Sequence, residues 1–583
     1  MIARTFRLKE MKVSKNVGSV LIKGGQVIDG TGAPAFVADV RLADGRIVEV
    51  GPDLATGASQ VYDASGCYVS PGFIDTHTHY DGSLFWDPAC DPILQHGVTT
   101  VLIGNCSLGL APVRKENVSD LATIFSYIED LPKDTFEQEI PWTWENFDEY
   151  AAEMRSRRFG VNVASLVSHS LLRTFELGHD AWTRASNDEE IGRIAANFDS
   201  AMAAGAFGIS SSRFDRNPQG DLVPSFHADE KELAGIFSVA QKYNGVFQVI
   251  PDMGSLDQQE KDLREYCGYS IKHGGVPVLS NGIYQRPDDP DYHPRLMNMA
   301  KEERAKGANF HFLASPRSIE LLVNFHQAMV FIYVPAWNAV VQPDMSIEEK
   351  RQRLSDPEWR AQARADWDAV KEGFPSGGMI RGFRIVKVGK AEYEGYIGKT
   401  FDVVLNEREG HPSDILADWV LENDFEPEFV YPFTNTDDRI VGELLAADES
   451  IISASDAGAH IGMFDGAGDT TLVLTRHVRD RPDMPLEIAV KRMSLDQALI
   501  LGLKDRGVIA EGAIADIAVF DLDKLHWDVE KKVQDVPGGK ARFRRPVGGF
   551  RYTFVNGVLA QQDGELTGEL AAHFLDASDR IAA

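Results

Sequence analysis

Apolar and polar positions alternate in short strand-like runs at both ends of the chain, and strand and helix periods alternate between them. At the start, Val20-Leu-Ile-Lys-Gly-Gly-Gln-Val-Ile carries two apolar runs around Gly24-Gly25. Ala38-Asp-Val-Arg-Leu alternates, Asp44-Gly45 is a hairpin turn, and Arg46-Ile-Val-Glu-Val resumes a strand. The far end repeats the style with Gly507-Val-Ile, Ala515-Asp-Ile-Ala-Val-Phe and Tyr552-Thr-Phe-Val, then a turn at Asn556-Gly557 and Val558-Leu-Ala. Two β-rich ends predict one small β domain assembled from both, because chain ends commonly lie close together.

The middle alternates short β-branched runs with amphipathic stretches. Strands are predicted at Thr99–Gly104, Gly160–Val167, Phe207–Ser210, Val246–Ile250, Pro277–Ser280 and Ile451–Ser455, and a helix at Asp229–Tyr243. Repeated strand and helix units of this kind predict an α/β fold, either a (β/α)₈ TIM barrel with insertions or a doubly wound sheet. An insertion is visible near 346–373, where Asp356-Pro357 reads as the N-cap and first residue of a charged helix. Its polarity predicts a surface lid rather than core. The resulting division is 1–70 and 501–583 for the two parts of the β domain and 71–500 for the barrel.

Length and charge narrow the choice of partner. A chain of 583 residues buries a large core, and its 25% charged and 43% hydrophobic residues are ordinary for a globular protein. With Lys+Arg 59 against Asp+Glu 88, the net charge is −29, which repels phosphate backbones and anionic headgroups. No nucleic acid and no membrane is expected as partner, and no run approaches the roughly 20 apolar residues of a membrane span. The basic start, Met1 to Lys12, has no apolar region of a secretory signal, so a cytoplasmic location is expected. Four scattered cysteines (Cys67, Cys90, Cys106, Cys267) form no disulfide framework.

Chemistry concentrates in Tyr68-Val-Ser-Pro-Gly-Phe-Ile-Asp-Thr-His-Thr-His-Tyr-Asp-Gly. On an extended chain His77 and His79 project to one face and can converge on a metal ion. Cys106, in Val101-Leu-Ile-Gly-Asn-Cys, lies just past an apolar strand. Alone it reads as a core thiol; beside an H-x-H strand it becomes a candidate thiolate ligand. Asp456 follows the late strand Ile451–Ser455 and is either a turn aspartate or a metal-bound proton acceptor. His460 and His169 are single histidines, more often structural than ligating. Arg213, after Gly208-Ile-Ser-Ser-Ser, is either a surface residue or a clamp for a substrate carboxylate. Phosphate loops, dinucleotide-binding glycine fingerprints and serine nucleophile elbows are not apparent.

Taken in order, Gly24-Gly-Gln-Val-Ile-Asp-Gly-Thr-Gly, Pro71-Gly-Phe-Ile-Asp-Thr-His-Thr-His-Tyr-Asp, His96-Gly-Val-Thr-Thr-Val, Gly104-Asn-Cys, Ser455-Asp-Ala-Gly-Ala-His and Gly507-Val-Ile-Ala-Glu-Gly resemble the amidohydrolase superfamily. Within it the set is similar to the N-acyl-D-amino-acid deacylase (D-aminoacylase) family. The resemblance implies a metal-bearing (β/α)₈ barrel beside a small β-sandwich, with His77, His79, Cys106 and Asp456 as metal positions and Asp456 as the catalytic acid–base. The family pattern also carries two later histidine ligands. Here the corresponding strands read Val246-Phe-Gln-Val-Ile and Val276-Pro-Val-Leu-Ser-Asn, so Gln248 and Asn281 stand instead, offering neutral oxygens that bind zinc weakly.

One Zn²⁺ per chain is therefore expected. Arg213, Gln248, Asn281 and His460 are candidate substrate-binding residues. The implied activity is metal-dependent hydrolysis of a non-peptide C–N bond, most readily deacylation of an N-acyl (D-)amino acid. A cyclic amide or lactone hydrolase and a catalytically lapsed binding protein are alternatives. A deaminase normally adds a histidine and a glutamate on middle strands that are not found here. The expected partners are a small-molecule amide and further copies of the same chain.

Overall fold

The computed structural model describes residues 18–581 except 58, 288, 327–328, 332–333, 343–344, 371–378, 433 and 454. The basic N-terminal stretch 1–12 lies outside the described residues. The first strands are β1 (Val20–Val27), β2 (Phe36–Ala43), β3 (Arg46–Gly51), β4 (Gln60–Asp63) and β5 (Tyr68–Pro71). The expected break at Gly24-Gly25 is a bulge within β1, where the register to β2 shifts between Ile22 and Gly25. Gly24 takes the left-handed conformation there, with φ +79°.

The chain then enters a run of parallel strands: β6 (Phe73–Asp75), β7 (Val98–Ile103), β8 (Asn162–Ser165), β9 (Val167–Ser168), β10 (Gly208–Ser212), β11 (Val246–Ile250), β12 (Val278–Ser280) and β13 (Phe310–Ala314). It is interrupted by β14 (Glu320–Val323), β15 (Arg384–Lys387) and β16 (Glu428–Pro432), and resumes with β17 (Ser450–Ile452). Two parallel sheets result, β6-β7-β8 and β17-β13-β12-β11-β10-β9. β8 and β9 are halves of one extended segment, and Phe207 N donates to Ser165 O at 2.9 Å across the junction. At the other end Thr78 and Ala457 form a parallel bridge, with His79 N donating to Ala457 O at 2.8 Å. These strands are buried almost throughout, as strands covered on both faces must be.

The interruption is larger than the sequence suggested. β14, β16 and β15 form an antiparallel sheet with its own buried core between Val323 and Tyr431. Asp356 does cap the helix Pro357–Ala369, accepting from Glu358 N, with Pro357 in its first turn. The expectation of a surface lid needs correction, however. Leu354, Trp359, Ala363 and Trp367 are buried in this second core, and they carry its packing although most of their neighbours are charged.

The chain finishes with β18 (Ile517–Phe520), β19 (Lys531–Val536), β20 (Lys540–Arg544), β21 (Phe550–Val555), β22 (Val558–Gln562) and β23 (Glu565–Leu566). β18 pairs with β5, so both ends of the chain share one nine-stranded sheet in the order β23-β22-β21-β18-β5-β1-β2-β3, with β4 beside β1. The expected β-sandwich thus meets one continuous hydrogen-bonded sheet. β19 and β20 form a separate hairpin, and Gly507–Ile509 is not a strand. Among the described residues no helix is long and apolar enough to cross a membrane.

Candidate metal centre

The segment leaving β6 alternates its side chains. Thr76 Oγ1 bonds to Ser453 Oγ and Gln497 Oε1, and Thr78 Oγ1 donates to Leu102 O at 2.9 Å, so both threonines anchor the backbone. His77 and His79 consequently share the opposite face, both fully buried, with their Nε2 atoms 3.4 Å apart.

Cys106 arrives from the turn after β7, whose backbone is tightly constrained. Gly104 has φ +78°, and a Cβ there would lie 2.4 Å from Leu166 O. Cys106 and Ser107 both take left-handed conformations, with φ 59° and 60°. The turn places Cys106 Sγ 3.3 Å from His77 Nε2. Asp456 arrives from the loop after β17, itself left-handed with φ 56°. Its Oδ1 lies 3.1 Å from His77 Nε2 and 3.6 Å from His79 Nε2. Such conformations cost stability and concentrate where function requires them.

Electrostatics set the resting states. Burial pushes the Asp456 carboxyl up, but the hydrogen bond from His77 and the imidazoles of His79 and His460 outweigh it and hold the group well below the usual carboxylate range. Burial lowers His79 to about 3. Burial, reinforced by Asp456, Asp215 and Glu129, drives the Cys106 thiol far up. A divalent cation reverses that last order, because a coordinating thiol is deprotonated outright. The donor set fits one. The two imidazoles and the sulfur lie within 4.8 Å of one another, and the Asp456 oxygen stands beside both imidazoles, with spacings of 3.1–3.6 Å around His77 and His79. Ligands held at about 2.0–2.3 Å from one tetrahedral zinc are separated by about 3.3–3.6 Å.

The other expected site residues are placed differently. Gln248 Oε1 accepts from Cys106 N at 2.8 Å, Gln248 Nε2 donates to Asn281 Oδ1 at 2.7 Å, and Asn281 Nδ2 donates to Cys106 Sγ at 3.3 Å. These two amides brace the cysteine, and each oxygen already accepts one hydrogen bond. The expectation that Arg213 meets substrate is corrected. Its guanidinium pairs with Asp262 at 2.9 Å and Glu265 at 3.1 Å and lies over Tyr266, turned onto the helix Leu256–Lys272. His460 stays at the site with 17% of its side chain exposed. His169 is fully buried between Glu232, at 2.8 Å, and Ser211, at 3.0 Å, a structural arrangement.

Sequence reasoning missed two residues. Arg317 donates to Ser455 O at 2.6 Å, pairs with Asp469 at 3.2 Å and lies over Phe464, so it fixes the loop carrying Asp456 from behind. Glu129, at the end of the helix Val118–Glu129, brings Oε1 to 3.4 Å from His79 Nδ1. Burial and the carboxylates of Asp456, Asp215, Asp130 and Asp81 push its carboxyl well up. The available signal was a lone acidic residue in the last turn of a helix, where the dipole disfavours it.

Comparison with known proteins agrees with this chemistry. The profile of the amidohydrolase family matches residues 60–279 and 410–560, well over half of the chain. The chain is 26% identical over 571 residues to a D-aminoacylase of Alcaligenes xylosoxydans xylosoxydans, covering 95% of this chain and 97% of that one. Among solved structures it resembles a D-aminoacylase described by its binuclear metal centre, with TM-score 0.66 and 24% identity over 96% of this chain and 99% of that one. It also resembles an N-acyl-D-glutamate deacylase of Bordetella bronchiseptica complexed with zinc and a phosphonate inhibitor, with TM-score 0.65 and 22% identity over 97% and 100%. The chain belongs to the amidohydrolase family and is a metal-dependent hydrolase acting on carbon–nitrogen bonds other than peptide bonds.

Proposed function

We propose that the chain deacylates N-acyl amino acids, those of D configuration in the first place, with one Zn²⁺ held by His77, His79, Cys106 and Asp456. The observation that carries this reading is the convergence of His77, His79 and Cys106 at the ends of parallel strands, with Asp456 Oδ1 beside the two imidazoles. Engagement of Gln248 and Asn281 by Cys106 supports one cation rather than two. The substrate class is supported by similarity to a D-aminoacylase and an N-acyl-D-glutamate deacylase. The bridge at Thr78–Ala457 and the bond at Phe207–Ser165 support reading the two parallel sheets as one closed (β/α)₈ barrel with the centre at its mouth.

A divalent cation bound there acidifies water and polarises the amide carbonyl. The rest belongs to the chain. Asp456, ionised at rest and with 27% of its side chain exposed, accepts the proton of the attacking water at Oδ and returns it to the leaving nitrogen. Gln248 and Asn281 hold Cys106 in place, and Arg317 holds the backbone before Asp456, so neither donor relaxes as the proton moves.

The test combines metal content per chain with a screen of N-acyl amino acids of both configurations, cyclic amides and lactones. About one zinc per chain and turnover of N-acyl-D-amino acids are expected. Asp456→Asn should keep its fold and most of its metal while losing about 10²–10⁴-fold in turnover. Undiminished turnover in this variant would remove Asp456 from the role. Metal-loaded protein inert toward all three substrate classes would leave only binding.

A further inference from the structure

Glu129 sits in the last turn of the helix Val118–Glu129, where unpaired carbonyls concentrate partial negative charge, and it is only 2% exposed. A buried carboxylate at that end opposes both solvation and the helix dipole. Local rules broken without local compensation point to a site. Among the described residues its ionic partners are two imidazoles: His79 Nδ1, 3.4 Å from Oε1, and His460 Nε2, 3.9 Å from Oε2. Among the described residues neither His79 Nδ1 nor Glu129 Oε2 has a hydrogen-bond partner, and the buried imidazole and carboxyl face each other at ion-pair distance through Nδ1 and Oε1. The other nitrogen of His79 faces Asp456 and His77.

We propose that Glu129 is a positioning residue that holds His79 through Nδ1, leaving Nε2 turned to the cation, and ties His460 to the same carboxylate. The inference rests on the metal centre proposed above. A carboxylate on the far nitrogen of a ligating histidine fixes the tautomer and ring orientation and raises the basicity of the ligand. The connection also runs beyond the centre. Tyr127, two residues earlier on the same helix, bonds through its hydroxyl to Asn338 Oδ1 of the inserted unit at 3.2 Å.

The test measures Zn²⁺ affinity of the full-length chain by competition with a chelator, and visible spectra of the Co²⁺-loaded chain. Glu129→Gln keeps size but cannot ionise beside a metal-bound imidazole; it should bind Zn²⁺ about 10- to 100-fold more weakly than wild type with an unchanged circular dichroism spectrum. Glu129→Asp keeps an ionisable carboxyl but withdraws it by one methylene. It should show an intermediate affinity and shifted Co²⁺ bands, and it decides the matter if the glutamine variant does not fold. Unchanged Zn²⁺ affinity in folded Glu129→Gln overturns the positioning role while leaving the metal centre intact, and so do unchanged Co²⁺ bands and affinity in Glu129→Asp. A wild-type chain that binds no Zn²⁺ removes the centre and this inference together. A purely structural role would move thermal stability and leave both metal readouts where they are.

Discussion

Each imidazole of the His77–His79 pair is buried with Nε2 directed at the same point, so their joint removal leaves, among the described residues, Cys106 and Asp456 as the expected donors there. Two donors are too few for a tight zinc site. The His77→Ala, His79→Ala double variant should therefore lose its metal while keeping its circular dichroism spectrum. Full metal content in the folded double variant would show that the pair is not the anchor. These two residues, Cys106 and Asp456 were legible because strand ends announce themselves: an apolar run stops and a polar ligand type follows. Glu129 was not legible, because it reaches the site from a helix inserted after β7, and nothing in a linear pattern shows where a helix end points. The bracing of Cys106 by Gln248 and Asn281 was not legible either, because a sequence does not reveal which of their atoms a neighbouring residue has claimed.

At the scale of elements, the loop after β17 fits against the H-x-H segment with little clearance. Gly458 has φ +90°, and a Cβ there would stand 2.8 Å from the carbonyl carbon and oxygen of His79. Gly458→Ala must shift one backbone against the other in addition to adopting a conformation that costs about 1–2 kcal/mol. It should weaken Zn²⁺ binding and lower the thermal midpoint together; a midpoint shift with wild-type Zn²⁺ affinity would show that the loop does not set the ligand geometry. Strands β7, β10, β11 and β12 were readable as β-branched runs bounded by turns, whereas β13, Phe-His-Phe-Leu-Ala, lacks that signature and was overlooked. The inserted helix was misjudged because three buried side chains spaced four apart, Trp359, Ala363 and Trp367, outweigh the charges around them.

Across the whole molecule, separate cores imply separable stability. Trp337 is fully buried in the inserted unit and donates to Ser413 Oγ at 2.8 Å. Trp337→Ala should cost about 3–5 kcal/mol locally. Hydrogen exchange should then accelerate over 320–432 and stay slow in β6–β13; uniform acceleration would mean the two cores unfold as one. Acid should act on the main body. Burial, with Arg545 nearby, lowers His96 to about 3, against an ordinary value near 6.5. As pH falls below about 6.5 the unfolded chain takes up a proton that folded His96 refuses, so stability drops by about 1.4 kcal/mol per pH unit until about pH 3. Buried Asp469, pushed up to about 7, acts in the opposite sense over the same range, losing stability as pH rises. The informative comparison is therefore with His96→Gln, whose thermal midpoint should rise relative to wild type as pH falls from 6.5 to 4. Equal slopes would show that His96 titrates normally in the fold.

The pairing of β5 with β18 also has a consequence in time. More than 400 residues of chain separate the two strands, so at ribosomal speeds of roughly 5–20 residues per second the edge of β5 waits on the order of 20–90 s for its neighbour. An uncovered strand edge invites pairing with other chains. Nascent chains stalled before residue 517 should therefore be the species most in need of a chaperone, and slowing translation within the inserted unit should lower the yield of protein that has, at its far end, still to deliver that strand.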